Sequence, residues 1–385
     1  MSALITDLIV GPSAAFTDLL PEWRALWAQA PDREPFSHPG WVQAYLSAFE
    51  PSARPVVLTV RLDGTLVAAL PLVRESTIFD GMPVRLLRAP MNPHSFRAQA
   101  LVLADQPPQT PCAFIDHLSA MPGWDLLTIP RFARSGFADQ LGHCAASHGF
   151  PILLHPHCPT RYIAIPARAL DGGDEPWLAD VDPDLRKKMR RAWRQIQQEF
   201  RAEPELETCE VAEPADLQRF YDLEASGWKG RAGTAIKCSP GTVRFYTDVA
   251  QAFAGERALR LHFLCVQGVT IAGAFSIIAA DRLYVLKWSY DEEYARYRPG
   301  QLLSGEMLRD CFERGLRTMD LGEDADYKRA WTPLTQDFEY LYIFNRTLYG
   351  RLLYVCREWL RPMIGCVLKR LRRRHSAARP NTPGT

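Results

Sequence analysis

Two short turns in this 385-residue chain sit in matching surroundings, and they constrain the fold more than any other feature. Asp63-Gly64 separates apolar, β-branched runs at 55–62 and 65–74. Gln267-Gly268 separates a second such pair at 259–266 and 270–279. A glycine-containing two-residue turn between such runs is a hairpin signal, because it supplies the positive φ that tight hairpins need. Each hairpin follows two stretches of helical apolar spacing, 16–28 and 39–49 in the first half, 216–226 and 242–254 in the second. Each is followed by strand, helix and strand. In the first half these are 84–87 with 101–103, then 112–120 and 126–129, with a further helix at 138–148 and a strand near 152–154. In the second they are 282–289, 301–314 and 318–321, with a last strand near 338–344.

The pattern predicts an α+β protein of two fused units, each a mixed sheet flanked by helices. The first unit spans 1–165 and the second 166–347, joined near 166–182. The second opens on a basic helix over about 183–202, with Arg186, Lys187, Lys188, Arg190, Arg191 and Arg194 around it. Residues 348–371 again show helical apolar spacing and run into Lys369, Arg370, Arg372, Arg373 and Arg374. The whole of 348–385 reads as an amphipathic helix and a basic, partly disordered tail.

Composition enters by exclusion. With 47% hydrophobic and 23% charged residues the chain is neither disordered nor coiled coil. Lys+Arg 45 against Asp+Glu 44 leaves no global basic field, so DNA is not an expected partner. The nine cysteines are scattered without CxxC, which predicts reduced thiols, and no His/Cys spacing suggests a metal. The amino terminus lacks a basic n-region and no apolar run reaches the roughly 18 residues a spanning helix needs. A cytoplasmic protein is expected, with peripheral contact at the inner membrane surface open to the basic tail.

Two segments carry candidate chemistry. At 288–314, WSYDEEYARYRPGQLLSGEMLRDCFER, Arg298-Pro299-Gly300 opens a helix. Proline suits a first helical position, and the free N–H groups there can hold an anion beside the Arg298 guanidinium. The plainer reading is a well-started amphipathic helix. At 319–331, MDLGEDADYKRAW, a strand delivers Asp320, Glu323 and Asp324, then Tyr327 and Lys328. One carboxylate could serve as a base and Tyr327 as an acid; a solvated acidic loop is the alternative. Trp228-Lys229-Gly230 ends a helix ahead of a loop that could line an acceptor cleft. Asn92, His94 and Ser95 lie in another loop, where a lone histidine is by default solvent-exposed.

These two segments, with LRKKMRRAWRQI, FYDLEASGWKG and LRLHFLCVQGVTIAGAFSI, resemble the GNAT-superfamily acetyltransferases of the CelD type, themselves similar to Fem-type aminoacyl transferases. PFSHPGWVQAYLSAF and LVAALPLVRE resemble the amino-terminal copy of that family. The resemblance implies two GNAT folds, with the pyrophosphate of acetyl-CoA or another acyl-CoA at Arg298, Pro299, Gly300, Gln301 and Leu302. It implies direct attack of an amine or hydroxyl, belonging to a small molecule or a sugar of polysaccharide biosynthesis, on the thioester. Asp320 or Glu323 is then the expected base and Tyr327 the acid, with Trp228, Lys229, Tyr290, Asp291, Asp324 and Lys328 on the acceptor side. The phosphate loop departs from the superfamily's Gln/Arg-x-x-Gly-x-Gly/Ala in having one glycine. Fem-type relatives use aminoacyl-tRNA instead, which keeps that donor open, and the basic tail with the imperfect phosphate loop keeps open a non-catalytic scaffold at the membrane surface. The first copy, lacking such a helix start, is expected to bind no donor.

Overall fold

The computed structural model describes residues 4–11, 14–133, 136–167 and 175–360. In chain order the first half forms β1 (Leu4–Val10), α1 (Ala14–Gln29), α2 (Pro39–Phe49), β2 (Arg54–Leu62), β3 (Thr65–Phe79), β4 (Met82–Arg88), β5 (Leu101–Val102), α3 (Thr110–Ala120), β6 (Leu126–Ala133), α4 (Phe137–Ser147), β7 (Ile152–Pro156) and β8 (Thr160–Ala164). The second half forms α5 (Pro183–Phe200), β9 (Glu205–Cys209), α6 (Pro214–Ser226), the single turn α7 (Trp228–Arg231), α8 (Pro240–Gly255), β10 (Leu259–Val266), β11 (Val269–Ala279), β12 (Arg282–Tyr290), α9 (Pro299–Glu313), β13 (Thr318–Glu323), β14 (Thr335–Gln336), β15 (Phe338–Phe344) and α10 (Leu348–Val355).

Both anticipated hairpins form. Asp63 and Gln267 take positive φ of 49° and 50°, and the glycines after them 85° and 76°. The strands build two mixed sheets of equivalent order, β1-β2-β3-β4-β6-β15-β7 and β9-β10-β11-β12-β13-β8-β14, with β5 beside β3. One neighbouring pair in each is parallel, β4 with β6 and β12 with β13. Parallel neighbours need a long crossover, which α3 and α9 provide. The architecture is that of two α+β units of matching strand order, each a mixed sheet flanked by helices.

Patterning alone missed β1, β8, β9 and β14, which are short or half-exposed. Two strands also cross the expected boundaries. The sequence puts residues 160–164 with the first unit and 338–344 with the second. The structure pairs β8 with β13 and β14, and β15 with β6 and β7. Each half thus lends a strand to the other's sheet. The reason is physical: a strand's own residues report which face is buried, not which partner it will meet.

The halves also share a core. Between the sheets lie α1, α2, α6 and α8, whose Phe16, Trp23, Trp41, Phe220, Phe245 and Phe253 form one buried cluster with residues of both sheets. A Cβ added at Gly40 in α2 would stand 2.7 Å from Ala252 in α8, so the glycine permits the close helix crossing. On the outer face of the first sheet α3 and α4 cover Leu58, Leu70 and Leu127; on the outer face of the second α5 and α9 cover Leu264, Ile271 and Leu283. Met189 of α5 sits over Gly305 of α9.

The expectation of uniformly reduced thiols is corrected in one place. Cys112 of α3 and Cys144 of α4 form a disulfide, because adjacent packing brings their Cα atoms to 5.2 Å. The basic helix ends at Phe200, with Arg201 in the left-handed region. Residue 347 caps α10, which continues as a π turn to Leu360. The basic run at 369–374 lies outside the described residues. No helix among the described residues is long and apolar enough to cross a membrane.

Candidate active site

The site begins as a defect in the second sheet. β12 and β13 pair only over Arg282–Tyr284 and Thr318–Asp320, then diverge. The β11–β12 register shifts between Phe275 and Ser276, which leaves Leu286 as the extra residue of a bulge. A bulge bends its strand, and here it coincides with the point where β12 leaves β13. A cavity of about 860 Å³ fills the gap, walled by Val285–Tyr290 of β12, Met319, Leu321, Gly322 and Glu323 of β13, and the start of α9.

Backbone carbonyls that lose a strand partner need another donor. Two lysines supply it. Lys229 Nζ donates to the Trp288 carbonyl at 2.9 Å, and Lys328 Nζ donates to the carbonyls of Leu321 and Glu323 at 2.6 Å each. Lys328 Nζ also lies 5.3 Å from the Trp288 ring centroid.

The second wall is the α9 amino terminus. Asp291 caps a 3₁₀ turn over Glu292–Tyr297 by accepting from the Glu293 N–H at 3.0 Å. Arg298 then takes φ 55°, which turns the chain so that Pro299 opens the helix. The Arg298 carbonyl accepts from the N–H groups of Gln301 at 2.9 Å and Leu302 at 3.2 Å. Proline has no N–H, so Gly300 carries the first-turn donor left for a ligand. A Cβ added at Gly300 would meet only Tyr290, at 3.5 Å. Nothing in the protein demands a glycine there; the open space belongs to the cavity.

The lining is cationic. Arg131, Lys229, Lys287, Arg298 and Lys328 face two carboxylates, Glu292 and Glu323. Both carboxylates are engaged. Glu292 pairs with Arg231 at 2.8 Å and accepts from the Trp228 N–H at 2.8 Å; Glu323 pairs with Arg131 and lies 3.9 Å from His157. Beneath the floor, fully buried Glu224 accepts from Lys229 Nζ at 3.0 Å and from the Ile236 N–H at 2.8 Å, and lies 3.8 Å from Lys287. Burial lowers the Lys287 pKa, Glu224 opposes that, and Lys229 adds to it. Burial also lowers Lys328 to about 8, against the opposing pull of Asp320, Glu323 and Asp324.

Of the residues expected from sequence, the structure gathers Trp228, Lys229, Tyr290, Arg298, Pro299, Gly300, Gln301, Glu323, Tyr327 and Lys328 around one cavity. Four lie elsewhere. Leu302 points its side chain into the α5–α9 core. Asp291 is spent on its cap, and Asp324 is paired with Arg161. Asp320 is fully buried, paired with Arg97 and accepting from the Gly322 N–H at 2.8 Å, so it has no face toward the cavity from which to take a substrate proton. His94 is corrected too. It stacks on Phe49 and meets the Tyr246 hydroxyl at 3.3 Å, and burial lowers its pKa to about 4, so it is neutral near pH 7.

Sequence reasoning missed Glu224, Lys287 and Arg131. Arg131 comes from the first half. It holds φ 54° in β6, where pairing with β15 shifts register between Glu339 and Leu341, and this bulge coincides with its turn toward the second-half cavity. A charged residue next to the Pro130 break in an apolar strand was the available signal. Among the described residues no group of three or more His, Cys, Asp or Glu could hold a metal.

A comparison with curated proteins finds no match. Among solved structures the chain is similar to FemX, at 13% identity and TM-score 0.60, covering 87% of this chain and 98% of that one. It is also similar to the carboxy-terminal domain of a putative lysylphosphatidylglycerol synthetase from Agrobacterium fabrum, at 12% identity and TM-score 0.55, covering 89% and 97%. A conserved protein of unknown function from Bacteroides thetaiotaomicron aligns at 11% identity and TM-score 0.55, over 88% and 100%. At such identities these likenesses speak for the fold. Within the chain, residues 183–329 match the family model described as an acetyltransferase (GNAT) domain, a span holding α9, β12, β13 and most of the cavity wall.

Proposed function

We propose that the chain is an acyltransferase that moves an acyl group, acetyl or longer, from a coenzyme A thioester to an amine or hydroxyl of a small molecule or sugar. The observation that carries this reading is the splayed parallel pair β12/β13, opening onto a helix start where Gly300 leaves its N–H and the space above it free. The donor diphosphate would sit on Arg298–Gln301, where the helix dipole and the Arg298 guanidinium favour negative charge. The acyl arm would lie in the gap, against Trp288 and the strand edge.

The acceptor nitrogen or oxygen attacks the thioester carbonyl carbon, the carbon–sulfur bond breaks, and coenzyme A leaves as the thiolate. Glu323, at the cavity rim, is placed to take the acceptor proton once Arg131 is drawn to another anion, and Tyr327 is placed to return a proton to sulfur. Lys229 and Lys328 hold the strand edges apart, while Trp228 and Tyr290 border the mouth. Asp320, Asp291 and Asp324 have no direct part in this reading.

The test is calorimetric titration with acetyl-CoA and a long-chain acyl-CoA. Gly300→Glu has room to fold and would put a carboxylate against the donor phosphates, so binding should fall by roughly tenfold or more, about 1.4 kcal/mol. Arg298→Ala should weaken binding in the same direction. Binding that ignores both substitutions would place the donor elsewhere.

A second donor, an aminoacyl-tRNA, is favoured by one feature. The face of α5 turned away from α9 leaves Lys187, Lys188, Arg190, Arg191 and Arg194 exposed beside the donor helix. FemX, named above, is of the Fem type that the sequence also resembles. No affinity for either thioester, together with activity abolished by RNase and tRNA binding that falls steeply with salt, would establish this donor instead.

A further inference from the structure

Helix α10 is bolted to the first sheet by one side and bare on the other. Thr347 caps it, accepting from the Gly350 N–H at 3.1 Å. A Cβ at Gly350 would fall 2.1 Å from the Asn345 carbonyl, so only glycine permits the contact. Leu353 is fully buried against Phe344 and Val84, the Tyr349 hydroxyl donates to the Pro83 carbonyl at 2.5 Å, and Arg357 pairs with Asp80 at 3.0 Å. The orientation of the helix is therefore set by its own packing.

The opposite side carries Leu348, Leu352, Val355 and Trp359, exposed by 89%, 50%, 44% and 63%. Their spacing of four, three and four places them in one stripe along the helix. Single exposed apolar residues are ordinary; four large ones aligned on a fixed helix form a contact surface. From Trp359 to the end of the sequence there are seven Lys or Arg residues and no Asp or Glu. In a chain whose total charge is +1, the sequence that follows this apolar stripe thus carries seven cationic side chains and no acidic one.

We propose that this stripe, with the basic sequence that follows it, docks the protein on the surface of an anionic phospholipid bilayer. The occupant must take up apolar side chains and neutralise cations together, and an anionic lipid surface does both: the stripe enters the headgroup–acyl boundary while the cations meet lipid phosphates. A second copy of the chain would cover the apolar stripe but bring two cationic segments together. A neutral apolar partner would leave the cations unanswered.

Co-sedimentation of the RNase-treated full chain with vesicles tests this. Vesicles of phosphatidylcholine with phosphatidylglycerol should pull the protein down, phosphatidylcholine alone should not, and 0.5 M NaCl should release most of it. Leu348→Gln/Leu352→Gln/Trp359→Gln should lower the apparent affinity at least tenfold, with elution volume and thermal midpoint little changed because these side chains are at least half exposed and lie outside the cluster that holds the helix. Lys369→Gln/Arg370→Gln/Arg372→Gln should weaken anionic-vesicle binding and flatten its salt dependence. Absence of binding to anionic vesicles, or equal binding to neutral ones, overturns the proposal. So does a dimer in light scattering that the triple apolar variant converts to monomer. Because the readout is lipid binding, failure here leaves the acyl-transfer reading to its own titration.

Discussion

Lys328 shows how a single residue serves both the strand edge and the cavity. Its ammonium replaces a missing β-ladder for two carbonyls, yet burial brings its pKa down to about 8 from the ordinary 10.5. A lysine with a folded pKa below its unfolded one binds fewer protons when folded. Stability then rises with pH between those two values, and the full penalty is present below the lower one. Urea titrations of wild type and Lys328→Met across about pH 7 to 10 should therefore show their difference in unfolding free energy shifting in favour of wild type above pH 8. A difference that stays flat would mean the ammonium is better solvated than its burial implies. The neighbouring Glu323 makes a separate case. Glu323→Gln should cut turnover by roughly 10²–10⁴-fold with donor affinity unchanged if it takes the acceptor proton; an equal loss of donor affinity would assign it to binding.

At the scale of elements, much was legible. The hairpins at Asp63-Gly64 and Gln267-Gly268 form because the turn residues can hold positive φ, and the helix at Pro299 starts where proline belongs. What could not be read were contacts whose partners lie far apart in sequence. Helix packing brings Glu224 beneath the cavity floor, and two bulges bring Lys287 and Arg131 into its lining; of the three only Arg131 has a local cue, the Pro130 before it. The Cys112–Cys144 link was likewise invisible, since two cysteines 32 residues apart on separate helices reveal no adjacency until α3 and α4 pack. Its effect is calculable: closing a loop of that length should stabilise by about 3–4 kcal/mol through the unfolded state. Cys112→Ala/Cys144→Ala should lower the thermal midpoint accordingly, and a dithiothreitol-treated wild type should match it. A midpoint indifferent to both would mean that the thiols are reduced in solution.

For the whole molecule the decisive group is Arg97. It is fully buried, bonded to Glu34 at 2.5 Å and to Asp320, 3.3 Å from the Thr160 hydroxyl, and over the Phe338 ring at 4.7 Å. It thereby ties a first-half loop to β8, β13 and β15, the exchanged strands included. Removing one partner of a buried ion network strands the others, so Arg97→Met should cost about 3–5 kcal/mol. Adding Glu34→Gln and Asp320→Asn should recover most of that loss in urea melts. No recovery would show that the guanidinium, rather than charge balance, holds the halves together.

The exchange of strands also has a consequence for how the chain is made. On the ribosome β6 and β7 emerge with the place between them vacant, and the strand that fills it, Phe338–Phe344, arrives only after nearly all of the second half has been synthesised. At roughly 5–20 residues per second that is a wait of about 10–40 s. Throughout it the first sheet offers two open edges to any passing strand, so nascent chains of this protein should depend on holding chaperones until β15 is released.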